Sequence, residues 1–147
     1  MSSETELEMW KAHRAAQEKF TYFMLAASGA CIGFALTQTK DLRLNCDMAW
    51  LGAALLAWAG SFYLGCKYAE AGREILLVNK GLLVLNAGRD PYAGTDVNRV
   101  SVGNEVFQKR LDDLQKDAAG LYRWEFRLLI LGVVFYVIWQ VLLMSSR

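Results

Sequence analysis

Hydrophobic and polar positions separate along this chain into blocks before any finer pattern shows. Residues 20–37, 48–66 and 128–144 form three runs of eighteen, nineteen and seventeen positions without a charged side chain. Spanning the hydrocarbon of a bilayer takes about 20 residues of helix, within a range of roughly 17–25. Each run reaches that range. Tyr22, Trp50, Tyr63, Tyr68, Tyr122 and Trp124 stand near the ends of the runs, where amphipathic rings favour the head-group layer. A soluble chain of this size lacks the amphipathic surface to cover three rods that are apolar all round. The pattern predicts an all-α integral membrane protein with three transmembrane helices, TM1 at 20–37, TM2 at 48–66 and TM3 at 128–144.

Between and before the runs the pattern is that of helices in water. Residues 1–19 read as an N-terminal amphipathic helix, with Ser3 and Glu6 at capping-box spacing. Leu7, Trp10, Arg14, Gln17 and Thr21 trace one face into the first run, and Trp10 is the expected anchor against a cytoplasmic hairpin. Residues 67–127 hold ten basic and nine acidic side chains and read as that hairpin. Its first arm continues TM2, and Ile75, Leu76, Val78, Leu82, Leu83 and Leu85 are its expected inner face. Residues 88–103 are rich in turn formers and predict the connecting loop. Asp90, Asp96 and Asn98 within it lack EF-hand spacing and a closing Glu, so turn chemistry explains them better than calcium. Phe107, Leu111, Leu114, Ala118 and Leu121 then repeat at four-three spacing, a coiled-coil seam. A rod from there through TM3 is about 60 Å long at 1.5 Å per residue, so it must project beyond the bilayer. The whole reads as one membrane domain extended into a cytoplasmic antiparallel helical bundle.

Basic residues near the ends of the runs set the orientation. Lys11, Arg14, Lys19, Lys67, Arg73, Lys116, Arg123 and Arg127 fall on one side, and Lys40, Arg43 and Arg147 on the other. Eight against three puts the N-terminus in the cytoplasm and the C-terminus outside. The acidic stretch before the first run, with Glu4, Glu6, Glu8 and Glu18, is unlike the short basic n-region of a signal peptide, so that run is expected to be kept.

Composition narrows the chemistry. Among 147 residues there are 16 Lys and Arg against 15 Asp and Glu, a net charge of +1. That balance gives no general attraction for nucleic acid. One histidine, His13, and three scattered cysteines, Cys31, Cys46 and Cys66, leave no metal-ligand cluster and no redox dithiol. No phosphate loop or nucleophile elbow is present. The expectation is a protein without catalytic residues, bound metal or cofactor.

What remains is packing and assembly. Gly29 and Gly33 form a GxxxG pair, and Ala53 and Ala57 give TM2 a smooth face; such faces let helices approach closely in lipid. Gln140 is an amide in an apolar run and wants a partner. Thr21, Ser28 and Thr37 form a partial polar stripe, the candidate lining of a pore; each hydroxyl can instead bond its own helix backbone. No ionisable residue lies within any run, which weighs against proton relays and ion-coupled transport. Arg123, Glu125 and Arg127 read as an interfacial charge cluster or a contact to lipid head groups. The general shape resembles that of many small bacterial inner-membrane proteins. The expected function is a homo-oligomeric membrane protein that forms or gates a pore, its hairpin sensing a signal or a cytoplasmic protein partner. The alternative is a non-conducting adaptor or scaffold subunit of a larger complex.

Overall fold

The apolar runs and the charged segments join into three helices, because helical periodicity continues through both kinds of sequence. The computed structural model describes residues 2–39, 48–92, 94 and 96–145. It consists of α1 (Ser2–Gln38), α2 (Met48–Asn86) and α3 (Val97–Ser145), and the described residues contain no strand. All three helices are long and apolar enough to cross a membrane. Residues 2–19 and 20–37 thus belong to a single helix. Cys46, Lys40, Arg43 and Arg147 lie outside the described residues, as do the side chains of Ser3, Glu6, Leu7, Trp10, His13 and Arg14.

Helix ends are set by local hydrogen bonding. The terminal carbonyls of α1 are met by threonines: Thr37 Oγ1 donates to Phe34 O at 2.7 Å, and Thr39 Oγ1 lies 3.0 Å from Leu36 O. At the end of α2, Gly88 adopts a φ of 65°. Its N–H donates to Leu85 O and that of Arg89 to Val84 O, at 3.0 and 3.1 Å. These two bonds make a Schellman motif, which needs a left-handed residue that glycine supplies without a Cβ clash. Asp96 then caps α3, its Oδ1 accepting from Asn98 N at 3.0 Å.

That cap corrects the expected loop at 88–103: the connection ends at Asp96, and residues 97–103 are helical. Val97, Val100, Val102 and Gly103 are weak helix formers, but tertiary packing overrides them. A Cβ at Gly103 would stand 2.7 Å from Leu85 Cδ2, so the two arms touch at this level. Gly81 and Gly120, inside α2 and α3, interrupt neither helix.

The chain divides into two compact units, Met1–Cys66 with Trp124–Arg147, and Lys67–Arg123. In the second unit the arms meet along pairs that ascend in α2 as they descend in α3. Tyr68 stacks with Tyr122 at 5.8 Å, Glu74 pairs with Arg110 at 3.6 Å, and Gly81 receives the Phe107 ring. Leu85, Leu111, Leu114 and Ala118 are buried between the arms, while Phe107 and Leu121 are partly buried. Leu76 and Leu83, expected on the inner face, are exposed instead. Each follows an inward position, Ile75 or Leu82, by one residue and is therefore turned about 100° away, at 3.6 residues per turn.

In the first unit all three helices contribute to the core. Ala35 of α1, Leu51, Ala54 and Trp58 of α2, and Trp139 of α3 form one buried cluster. Gly132 admits the Trp58 indole, since a Cβ there would stand 2.5 Å from Trp58 Cδ1. Trp58 Nε1 donates to Leu129 O at 3.3 Å, and its ring meets Tyr136. The outside of the unit carries Phe23, Phe34, Leu56, Tyr63, Val134 and Val137, all exposed.

Candidate functional site

Polar side chains inside an apolar unit are costly unless they find partners, so their positions mark where the sequence departs from plain packing. The buried polar residues among those described are Thr21, Ser28, Ser61 and Glu125, and all four belong to the first unit. Helical spacing gathers them. Thr21 and Ser28 lie two turns apart on α1, Ser61 faces them from α2, and Glu125 sits on α3.

The hydroxyls form a short relay. Ser61 Oγ donates to the backbone carbonyl of Glu125 at 2.9 Å. Ser28 Oγ lies 3.3 Å from Ser61 Oγ and 3.0 Å from Met24 O, and its single proton serves one acceptor at a time. Thr21 Oγ1 donates to Gln17 O at 3.0 Å. Three helices are thereby joined through Ser28, Ser61 and the Glu125 carbonyl.

The Glu125 carboxyl does not take part in that relay. Its residue is 1% exposed and its Oε1 has no hydrogen-bond partner. It leans over Gly65: a Cβ on that glycine would stand 2.5 Å from Oε1 and 2.8 Å from Leu25 Cδ2. The carboxyl therefore fits only because position 65 is bare. Asn104 Oδ1, in the second unit, is the other buried side-chain oxygen without a partner among the described residues.

The structure places the other sequence candidates as follows. Arg127 is exposed, its guanidinium 5.5 Å from the Trp124 ring centre, and Arg123 Nε donates to Ala119 O at 3.2 Å. Neither forms an ion pair with Glu125, because side chains two apart on a helix do not face each other. Thr21 and Ser28 point between helices, whereas Thr37 is exposed and bonded to its own backbone. Gly29 and Gly33 are exposed, with open space where a Cβ would be built. Ala57 is buried, Ala53 partly so, and Gln140 is exposed.

Sequence reasoning missed the inward turn of Glu125, although a signal for it exists. The seam residues Leu111 and Ala118 repeat every seven positions, and the same step reaches Glu125, Gly132 and Trp139, all buried. Carried four residues past Leu121, the four-three register arrives at Glu125. Its neighbours in space, Leu25 and Gly65, belong to the first two apolar runs. A carboxyl from just outside the third run therefore stands beside residues of the first two. Among the described residues no three His, Cys, Asp or Glu side chains gather where a metal ion could be held. Comparison with family models, with curated proteins and with solved structures returns no match.

Proposed function

We propose that this chain is a multi-pass protein of a bacterial inner membrane that self-associates and acts as a non-conducting anchor for its 67–123 hairpin. The N-terminus and hairpin lie in the cytoplasm, where the hairpin meets a protein partner, and the C-terminus lies outside. The excess of basic residues near the cytoplasmic ends of the runs supports this orientation. The observation that carries the reading is a contrast on α1. Thr21 and Ser28, the side chains suited to line a path, are buried between helices, while Gly29 and Gly33 stay open on the outer face. In lipid, where apolar side chains alone give no preference for protein over solvent, small open residues are what lets a second helix approach.

Subunit counting in lipid vesicles, combined with flux of ions and a small dye on the same vesicles, tests the reading. The native chain is expected to form an oligomer that passes neither. Gly29→Leu should weaken association at least tenfold, or about 1.4 kcal/mol, with the subunit still folded. A native chain that stays monomeric would remove self-association. Flux that vanishes with Gly29→Leu would replace the anchor by the pore-forming homo-oligomer.

A further inference from the structure

Glu125 is the one buried ionisable residue among the described positions, and nothing around it compensates a charge. Its Oε1 is unpartnered, and it lies against the Leu25 side chain of α1 and the bare Cα of Gly65 on α2. The nearby hydroxyls are committed elsewhere, Ser61 to the Glu125 carbonyl and Ser28 to Met24 O or Ser61. Charged and titratable groups on the packed elements turn outward. Glu18, Lys19 and Tyr22 of α1 are exposed, as are Tyr63 and Cys66 of α2 and Arg127 on α3 itself. Among the described residues no cation of this unit pairs with the carboxyl.

An ionised carboxylate in such a place loses its hydration and gains no counter-charge. The free-energy cost is large enough that such groups bind a proton rather than remain charged. We propose that Glu125 is a proton-binding site, and that α1, α2 and α3 close around its neutral acid form. Release of the proton leaves a carboxylate that needs water or a cation, and admitting either at Oε1 parts Leu25 and Gly65 from it. The site thus couples one proton to the packing of three helices at the Ser28–Ser61 level. This follows from the packing of the unit, whether or not the chain self-associates.

Infrared difference spectroscopy of the full chain in lipid vesicles, native against Glu125→Gln, reads the site directly. At about pH 7, where a free glutamate is ionised, the native chain should show the carbonyl stretch of a neutral carboxylic acid that the variant lacks. Raising the pH should abolish that band. Protection of the backbone amides around Leu25 and Gly65, taken relative to the intrinsic exchange rate at each pH, should fall with its loss in the native chain and remain unchanged in the variant. Equal spectra at neutral pH, or a band whose loss leaves that protection unaltered, would overturn the proposal. If the variant does not fold, an apolar carbodiimide, which adds to protonated carboxyls, decides on the native chain. An adduct on Glu125 at neutral pH that disappears at alkaline pH supports the site, and adducts confined to other carboxyls overturn it.

Discussion

The two units are built from the same helices with opposite rules. In Lys67–Arg123 the buried side chains are apolar and the charges lie outside: Leu85, Leu111, Leu114 and Ala118 are buried, while Lys80, Lys109, Asp112, Asp113, Lys116 and Asp117 are exposed. In the other unit phenylalanine, valine, leucine and tyrosine are exposed, and the four buried polar residues among those described, Thr21, Ser28, Ser61 and Glu125, lie within. The ion pairs follow the same division. Lys67–Glu70, Glu74–Arg110 and Asp96–Arg99 all belong to the second unit. Water drives the burial of leucine in one case. In the other, if lipid surrounds it as the proposed function requires, close fit and hydrogen bonds must hold the helices.

The contrast breaks most visibly at the first unit's core. Trp139→Ala removes a side chain that is 2% exposed and packed on Ala35, Leu51, Ala54 and Trp58. It should destabilise that unit by about 3–5 kcal/mol, measured by thermal unfolding in detergent with hydrogen exchange to localise the loss. Little effect would mean that the aromatic cluster can collapse around the gap.

A matched pair of surface substitutions sharpens the difference in solvent. Leu56 and Leu83 are 76% and 71% exposed, one in each unit. If lipid covers Leu56, as the proposed function requires, Leu56→Lys should cost about 3 kcal/mol of insertion free energy. Leu83→Lys, facing water, should stay within about 0.5 kcal/mol. A membrane-insertion assay on the first and denaturant unfolding of the second give the two values. Equal effects would erase the distinction between the units.

A smaller loss than that of Leu56→Lys belongs to the hairpin's turn. Gly88→Ala places a Cβ on a residue with φ of 65° and should cost about 1–2 kcal/mol. Hydrogen exchange should rise at residues 84–89 and leave the first unit's core unchanged.

The helices were legible in the sequence because apolar runs and a four-three repeat are properties of one segment at a time. The seam at Leu111, Leu114 and Ala118 needed no knowledge of its partner. The loop was overextended because valines and Gly103 argue locally against helix, and the contact that decides otherwise, with Leu85, is eighteen positions away in sequence. Thr21 and Ser28 were visible as a stripe, yet a stripe does not say whether it faces a neighbour or an open path. Only the approach of Ser61 settles that Ser28 faces α2. Glu125 was read against Arg123 and Arg127, its neighbours along the chain. The helical turn sends those two outward and the carboxyl inward, toward residues about 60 and 100 positions earlier.

The hydrogen bonds of the first unit also impose an order of events on its making. Ser61 and Trp58 find their acceptors, Glu125 O and Leu129 O, 64 and 71 residues further along the chain. At a synthesis rate of about 5–20 residues per second, α2 waits roughly 3–14 s for α3 to be made. During that interval α1 and α2 have each other and the Ser28–Ser61 contact, but an open groove where Trp139 will lie. α3, translated after both, closes the core of the first two helices, so a chain cut short after the hairpin would leave them exposed to chaperones and proteases.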